Sequence, residues 1–375
     1  MISRVRQALL LAPLVLLPSF MLRFSFGAVH LNLLDILLLS AVFTNFPFLK
    51  IDKLSRPILL ASGGILLAAL LAVFTAHFAS SAIGAFKSWF LLPMLYAIVL
   101  AQSKTSLETI RRCLLIALSY TLLYAIFIFP SDPLHRLHGW YSNPNFLAMF
   151  SESILIFSLP LLKESWLERL SWVICLLLSL LTISFGGYLA LIVGALVYYL
   201  AKSRPNLVPW AFGVLTIVMI GITFLPPSAQ PINTFGSRSG SAEGRTQIWK
   251  TAYYLLQQQP LTGVGLYQFQ PQYQKALPVI TDRPLEQDVP FAHNFYLSVW
   301  TNLGLLGLVS FIILFSLLTK IAYPPLLAFL AAFLAHGILD TPYFLNDLSV
   351  IFWVVIFCSL SWYLHRQQTG KEQPE

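Results

Sequence analysis

The chain has 375 residues, of which 57% are hydrophobic and 10% are Asp, Glu, Lys or Arg, and its mean hydropathy is +0.75. Soluble domains carry about 25% charged residues, so this composition excludes a soluble globular protein and predicts that most of the surface faces lipid. The net charge of +8 does not indicate nucleic-acid binding, because the basic residues are scattered between apolar segments and form no cluster on one soluble face.

Apolar runs long enough to cross a bilayer, which takes about 20 residues, recur along the chain. They predict an all-α polytopic membrane protein with about 12 transmembrane helices and one large outer loop that contains short helices. The predicted spans are 7–22, 25–44, 57–77, 82–101, 110–129, 146–162, 167–184, 186–201, 207–225, 295–319, 321–338 and 347–364. We therefore divide the chain into nine spans (1–225), a long loop (226–294), and three spans with a short tail (295–375).

The positions of Lys and Arg predict the orientation, since these residues are enriched in cytoplasmic loops. With the N-terminus inside, fifteen of the 23 fall in inner segments, and only Arg23 and Arg136 fall in short outer loops. Five more lie in the long outer loop, whose translocation depends little on charge, and Lys87 lies within a span. Both termini are thus expected on the cytoplasmic side and the long loop on the outer side.

Three charged residues lie inside predicted spans rather than at the span ends, and charges inside a span are costly and are functional candidates. Lys87 is about one turn from the outer end of its span, so it either snorkels to the interface or faces an anionic ligand. Asp35 lies near mid-span, and we expect it to pair with a buried cation or polar group. Glu152 lies beneath a pocket at the outer face or makes a hydrogen bond between helices.

One short outer loop carries polar side chains that could form part of a binding site. Asp132, His135, Arg136 and His138 crowd the short loop 130–142, which we predict to form one wall of that site. Asn145 follows this loop as either a pocket ligand or the N-cap of the next span.

The long loop contains one predicted helix. Residues Thr246–Gln258 have apolar side chains at helical spacing and end before Pro260. We expect an amphipathic helix at the outer interface, with Trp249, Tyr253 and Tyr254 at headgroup depth.

The chemistry is expected in the rest of this loop. Arg245 is a permanent cation with a planar fork of donors that suits phosphate oxygens. Gly263 and Gly265 would let backbone N–H groups approach a ligand closely. His293 stands at the mouth of the next span, where an imidazole accepts a proton near neutral pH. Taken singly, each has an ordinary structural alternative, which for His293 is a helix cap or an interface.

We predict no metal or other cofactor. The three cysteines lie in apolar runs without metal-ligand spacing. The carboxylates Asp282, Glu286 and Asp288 are scattered near prolines and form no cluster suited to a divalent cation.

Taken together and in order, these segments resemble the O-antigen ligase and O-antigen polymerase superfamily, which also includes bacterial protein O-oligosaccharyltransferases. The resemblance covers most of the chain, from the number of spans to the large loop before the third-last span. Four local patterns carry it: Arg136…Gly139-Trp-Tyr-Ser-Asn-Pro-Asn145, the segments Arg245–Trp249 and Gly263–Gly265, the pair His293-Asn294, and His336…Asp340. One departure is Ser184-Phe185, where the family commonly has Ser-Arg.

The resemblance implies transfer of a glycan from an undecaprenyl diphosphate carrier to a hydroxyl acceptor, such as lipid A-core, at the periplasmic face of a bacterial inner membrane. A lipid diphosphate leaves readily when cations stabilise its charge, so no metal is required. Arg136 and Arg245 are the expected diphosphate ligands, with Lys87 as a weaker candidate. His293 is the expected base for the acceptor hydroxyl, and a single displacement would invert the anomeric carbon.

Three further residues are expected to support this chemistry. Asn294 would orient the acceptor or the imidazole. His336 and Asp340 would share a helix face if the helix continues through both, and they line the cavity or end the helix.

Two alternative functions remain open from the sequence. A polymerase of O-antigen or exopolysaccharide repeat units uses another carrier-linked glycan as acceptor and needs the same two sites. A small-anion transporter, such as a bicarbonate carrier, would place ionisable residues near mid-bilayer in two related halves. In this sequence the candidate ionisable residues are instead predicted at the outer face of the membrane.

Overall fold

The computed structural model describes residues 2–26, 29–46, 55–128, 136–214, 217 and 239–369. These residues are helical apart from one two-stranded antiparallel hairpin and the connecting loops. The elements of the first part are α1 (Ile2–Val15), β1 (Arg23–Phe26), β2 (Val29–Asn32), α2 (Leu33–Asn45), α3 (Arg56–Phe74), α4 (Ala79–Ala85), α5 (Leu92–Ala101) and α6 (Leu107–Ile128). A π-helical turn, Phe86–Leu91, joins α4 to α5.

The second part continues with helices on both sides of the long loop. They are α7 (Pro144–Phe157), α8 (Trp166–Leu180), α9 (Phe185–Ser203), α10 (Ser239–Gln258), α11 (Phe269–Ile280), α12 (Phe295–Leu318), α13 (Pro324–Gly337) and α14 (Asn346–Thr369). Gly304 interrupts α12 with a φ of +67°. A β-carbon at this position would overlap the carbonyl oxygen of Leu261, so the close approach requires glycine.

Within the described residues, six helical units are long and apolar enough to cross a membrane: α3, the α4–α5 unit, α6, α9, α12 and α14. Each coincides with a predicted span, so the prediction of an all-α polytopic membrane protein is confirmed. Five other predicted spans correspond to the shorter helices α1, α2, α7, α8 and α13. The remaining one, 207–225, lies mostly outside the described residues.

The second predicted span was placed wrongly at its start. The prediction began it at residue 25, but the hairpin occupies this region and α2 begins at Leu33. The Asn32 side chain accepts a hydrogen bond from the Asp35 backbone N–H at 2.8 Å, and Asp35 reaches back to Asn32 in a capping box. Asp35 therefore lies in the first turn of α2 and not at mid-span.

Asp35 was predicted to pair with a buried cation or polar group, and it pairs with both a partly exposed cation and a buried hydroxyl. Its Oδ2 lies 2.7 Å from Nζ of Lys87 and accepts a hydrogen bond from the Ser88 hydroxyl at 3.1 Å. The side chain of Asp35 is only 1% exposed, so the ammonium group compensates a charge that is otherwise expensive to bury.

Small residues allow the central helices to pack closely. A β-carbon on Gly194 of α9 would lie 3.0 Å from Ala332 of α13, and one on Gly64 of α3 would lie 2.6 Å from the Ser310 hydroxyl of α12. Close backbone approach through small side chains is a common way in which membrane helices associate. The helices α7, α9 and α13 thereby form one packed group, against which the site is built.

The connections between these helices meet at one end of the bundle. The loop before α7 contacts the turn between α8 and α9, where Nε of Arg136 donates to the Thr182 carbonyl at 2.8 Å. The backbone N–H of Phe78, after α3, donates to the Gln268 side chain of the long loop at 3.1 Å. The segments predicted as outer loops therefore lie together.

The long loop forms a second, smaller hydrophobic core between α10 and α11. The predicted helix Thr246–Gln258 is part of α10, but Trp249 is buried in this core at 3% exposure. The side chain is therefore enclosed by protein, and α11, which the sequence analysis did not identify, contributes to the core around it. Its placement at headgroup depth stays a prediction. Tyr253, at 40% exposure, remains on the outside.

Candidate active site

A histidine–aspartate pair forms the centre of the candidate site. His293 precedes α12, whose N-cap is Asn294, and its Nδ1 lies 3.0 Å from Oδ1 of Asp340 in the loop between α13 and α14. An ionised carboxylate only accepts hydrogen bonds, so Nδ1 carries the proton and Nε2 is the basic nitrogen. The His293 side chain is 18% exposed and that of Asp340 is 4% exposed. This arrangement leaves a base partly accessible at the end of the bundle.

The backbone of His293 is held in a conformation that most residues avoid. Its φ is +44°, in the left-handed region that costs a residue with a β-carbon free energy. Two neighbours hold it there: the Trp249 indole N–H donates to the His293 carbonyl at 3.4 Å, and the Asn294 amide donates to the Ile338 carbonyl at 3.2 Å. Strain of this kind is often found at functional sites.

Electrostatics favour a basic imidazole opposite an ionised aspartate. Burial alone would lower the pKa of His293, but the Asp340 carboxylate more than offsets this and raises that pKa above its usual value. Burial would raise the pKa of Asp340, yet the neighbouring His293, His336 and Arg245 hold it well below its usual range. Asp340 is therefore ionised at neutral pH and strengthens His293 as a proton acceptor.

Asn145 connects this pair to an arginine. Its Nδ2 donates to Oδ2 of Asp340 at 3.1 Å, and its Oδ1 accepts from Nη2 of Arg136 at 3.0 Å. The N-cap of α7 is Asn143, whose side chain accepts from the Asn145 backbone N–H at 2.9 Å. Of the two alternatives for Asn145, the structure excludes the cap and places its amide between Arg136 and Asp340.

Arg245 lies against the same loop. Its Nε donates to the carbonyl of Leu339, the residue before Asp340, at 3.2 Å. Its charge lowers the pKa of His293, less strongly than Asp340 raises it. Arg245 thus lies beside Asp340, while Arg136 is joined to Asp340 through Asn145. The planar donor forks of guanidinium groups bind phosphate oxygens well.

A second histidine–carboxylate pair lies directly beneath Asp340. The helix α13 ends at Gly337, but the Asp340 backbone N–H still donates to the His336 carbonyl at 3.0 Å, so a final helical turn keeps His336 and Asp340 close to each other. Nδ1 of His336 lies 2.7 Å and 2.8 Å from the two carboxylate oxygens of Glu152 on α7. Both side chains are almost completely buried, at 1% and 2% exposure. For Glu152, this is the hydrogen bond between helices that the sequence left as one alternative.

Gly186 provides the space for this buried pair. A β-carbon there would lie 2.6 Å from Nε2 of His336, and His336 is held on its other side by Glu152. We expect Gly186→Ala to destabilise the protein by about 1–3 kcal/mol, the usual cost of overpacking a core, measured as a lower melting temperature in detergent. Gly63→Ala in α3, where a β-carbon meets nothing within 4 Å, is the control. Equal melting temperatures of the two variants would contradict this packing.

Lys87 is not part of the cluster around Asp340. Its ammonium group pairs with Asp35, and both residues line a separate cavity of about 400 Å³. The aromatic side chains Trp89, Phe291 and Phe344, which contact one another, adjoin this cavity. Of these three, Trp89 lines the cavity itself, and Phe291 is two residues before His293 in the chain.

The two loop glycines also lie elsewhere. Gly263 has φ +64° and its β-carbon position is 2.4 Å from the Thr301 carbonyl of α12, while Gly265 has φ +98° and faces the backbone of Ala76. Each lets the loop backbone lie directly on another backbone segment. The expected approach of their N–H groups to a ligand is replaced by packing of the loop on α3 and α12.

Some predicted features fall on other parts of the chain. Asp132 and His135, expected in one wall of the site, lie outside the described residues. His138 is described, and its Nδ1 lies 3.0 Å from the Tyr141 carbonyl. Within the described ranges, no group of three or more His, Cys, Asp or Glu side chains is placed to hold a metal ion.

The sequence analysis identified the residues of both histidine–carboxylate pairs as candidates for the site but could not predict which of them pair with each other. His293 and Asp340 are 47 positions apart, and Glu152 and His336 are 184 apart. The Trp249 contact with His293 was also missed. The signal that could have found it is the apolar face of α10, which includes Ile248, Ala252 and Leu256 and so marks Trp249 as a core residue.

Comparison with known proteins agrees with the sequence resemblance. Residues 170–312 match a family model described as O-antigen ligase, and a comparison with curated proteins found no match. The matched range contains Arg245 and His293, whereas Arg136, Asn145 and Asp340 lie on either side of it. Over residues 170–312 the chain is therefore similar to the O-antigen ligase family, whose members are membrane glycan ligases and polymerases.

Proposed function

We propose that this membrane enzyme moves a glycan from an undecaprenyl diphosphate carrier to a hydroxyl of a lipid A-core acceptor, as a ligase. The observation that carries the proposal is the continuous set of contacts from Arg136 through Asn145 and Asp340 to His293. It joins a cation suited to diphosphate with a base suited to a hydroxyl. Inverting transfer to a hydroxyl requires these two groups, held in a fixed relation.

In this proposal His293 is the base. Its Nε2 takes the proton of the acceptor hydroxyl while the oxygen attacks the anomeric carbon, and the bond to the diphosphate oxygen breaks. Asp340 keeps the imidazole in the right tautomer and stabilises the imidazolium that forms, as an aspartate does in other histidine-based sites. Attack opposite the leaving group inverts the anomeric carbon.

Arg136 and Arg245 are the proposed diphosphate ligands. The carrier diphosphate gains negative charge as the glycosidic bond breaks, so fixed guanidinium groups stabilise the transition state more than the ground state. Arg136 contacts the α8–α9 turn at Thr182, three residues before Phe185. This contact supports Arg136 as the residue that takes the role of the arginine that related proteins commonly have at the position of Phe185.

The proposed location follows from the same geometry. The site lies at the end of the bundle where the long loop packs, and the substrates named above are exposed at the periplasmic face of a bacterial inner membrane. The excess of Lys and Arg in the segments at the other end supports cytoplasmic termini. Membrane lipids surround the helices, and the active-site loop 226–294 faces the periplasm in this proposal.

A polymerase of O-antigen or exopolysaccharide is the second candidate, because the family includes both activities. The test is a deletion strain complemented with wild type or His293→Ala, followed by gel analysis of surface and carrier-linked glycan. For a ligase, we expect His293→Ala to lose ligated glycan and to accumulate carrier-linked polymer. Carrier-linked single repeats without polymer would identify a polymerase instead. Unchanged glycan with altered uptake of a small anion would overturn the transferase proposal in favour of transport.

A further inference from the structure

Three cavities on the loop side of the bundle share lining residues. The cavity that contains Lys87, about 400 Å³, shares Ser81 and Tyr267 with a second cavity of about 290 Å³. The second shares Gln274 with a third cavity of about 650 Å³ between α11 and the segment that follows it. They therefore follow one another from the hairpin and α2, past α4, to the far end of α11. We call this series the outer groove.

The lining of the outer groove combines apolar surface with amide and hydroxyl groups, and its charged side chains are Arg23, Asp35, Lys87 and Asp282. In the first cavity the Lys87 ammonium is paired with Asp35 at 2.7 Å, and Asn32, Asn346 and Ser88 supply amide and hydroxyl groups. The second and third cavities add glutamine side chains from α11 and the following loop. Amides and hydroxyls that both donate and accept suit a ligand with many hydroxyl groups better than a strongly charged one or a hydrocarbon chain.

An aromatic residue stands where the first two cavities meet. Tyr267 is 42% exposed and packs edge-to-face on Trp89, with ring centroids 5.3 Å apart. Its φ of +58° is unfavourable for a tyrosine, and the Asn302 side chain accepts from its backbone N–H at 2.9 Å to hold it there. A bulky ring kept exposed at a conformational cost is a feature expected of a binding surface. Aromatic faces offer apolar area for the C–H face of a sugar ring.

We propose that the outer groove binds an extended oligosaccharide of more than one repeat unit. The proposal rests on the glycan transfer proposed above and adds where the sugar chain lies. Trp89 lines the first cavity and its ring packs on Phe291, which is two residues before His293, and the second and third cavities continue along α11. The sugar chain is either the one carried by the donor or that of the acceptor, and both have the same chemistry.

Adjacent serines on α4 allow a matched test. Ser81 and Ser80 are both exposed, but only Ser81 lines the groove, where it contributes to two cavities. A tryptophan at position 81 would fill the junction, whereas the same residue at position 80 would not. Tyr267→Asn removes the ring but keeps a residue that tolerates positive φ, so its effect reports on the aromatic surface and not on the backbone.

The measurement is calorimetric titration of the full chain in lipid nanodiscs. The probes are lipid-free oligosaccharides of one, two and three repeat units, released by mild acid from the surface polysaccharide of the host, and separately its delipidated acceptor core. We expect Kd to fall as chain length increases, and Ser81→Trp to raise Kd at least tenfold, or about 1.4 kcal/mol. Tyr267→Asn should raise Kd about fivefold, and Ser80→Trp should stay within twofold. The probe that binds identifies the donor or the acceptor as the source.

Any of four results would overturn the proposal that the outer groove binds an oligosaccharide, and the first three concern oligosaccharide binding itself. These are no binding by wild type at millimolar concentration, equal affinity for one and three repeats, and equal effects of Ser81→Trp and Ser80→Trp. Retention of anionic phospholipid that Ser81→Trp alone abolishes, without oligosaccharide binding, would also overturn it. The His293→Ala variant separates the two proposals. If transfer is lost but wild type binds no oligosaccharide, glycan transfer stands and the groove fails. If oligosaccharide binds and His293→Ala still transfers, the groove stands and the proposed role of His293 fails.

Discussion

Replacement of His293 by asparagine is expected to lower the rate of glycan transfer by about 10²–10⁴-fold, the usual contribution of a general base. Asparagine tolerates the left-handed φ of +44° at this position, so the variant removes the proton acceptor without forcing the backbone to move. The measurement is transfer from a purified lipid-diphosphate-linked donor by the protein in detergent. Donor binding should change little, because the arginines remain.

His138→Ala is the matched control for this experiment. His138 lies in the loop before α7, and its ring contacts the Tyr141 carbonyl and not Asp340. We expect its transfer rate to stay within about threefold of wild type, well below the loss expected for a general base. A His293→Asn variant that is as active as His138→Ala, with an unchanged melting temperature, would show that another group accepts the proton.

Replacement of Asp340 by asparagine should have the second large effect, because it changes the protonation of His293. An aspartate-to-asparagine change behind a catalytic histidine costs up to about 10⁴-fold in rate, since the imidazole is no longer held in the required tautomer. The pH dependence gives a more specific signature. The Asp340 carboxylate raises the pKa of His293, and transfer requires the unprotonated imidazole.

The requirement for an unprotonated imidazole fixes the direction in which the pH dependence of transfer should move in Asp340→Asn. In wild type, activity is present above the raised pKa of His293 and is lost as the pH falls through it. Without the carboxylate, burial lowers the pKa of His293, so the remaining activity of Asp340→Asn should persist to lower pH than that of wild type. The rate measured as a function of pH checks this, and an ascending limb that does not move would contradict the coupling between the two residues.

Asp347→Asn controls for the loss of a buried carboxylate at this end of the bundle. Asp347 is fully buried in the first turn of α14, and its Oδ2 accepts from the Tyr141 hydroxyl rather than from a histidine. We expect it to lower stability without moving the ascending limb of the pH profile. Only Asp340→Asn should change the proton affinity of His293.

The membrane architecture could be predicted where the apolar runs are long and uninterrupted. The limits of α3, α6, α12 and α14 agree with the predicted spans to within a few residues at most ends. Elsewhere the predicted helix limits were less accurate, because they depend on caps and prolines rather than on hydropathy. Hydropathy averaged over a window does not detect that Asn32 caps α2, and it merged the hairpin with that helix. The helix α11 was not identified because Pro271 and Pro278 lie inside it.

The candidate site could be predicted as a set of residues but not as an arrangement. Arg136, Arg245 and His293 were chosen because permanent cations and an imidazole suit phosphate and proton transfer, whatever surrounds them. Their partners could not be assigned in the same way. Lys87 was a weaker candidate in the sequence, and only the position of Asp35 on the adjoining helix shows that its charge is already compensated.

The amino-acid sequence by itself determined that this is a polytopic membrane protein, which of its segments lie together at one end, and which side chains are chemically able to act there. These properties depend on composition and on spacing along one chain segment. Only the tertiary structure shows that Asp340 pairs with His293, that Asn145 connects this pair to Arg136, and that Glu152 pairs with His336. Such pairings depend on which helices pack side by side, and burial then makes each one specific, because an unpaired charge or polar group in this interior would cost more than the fold can tolerate.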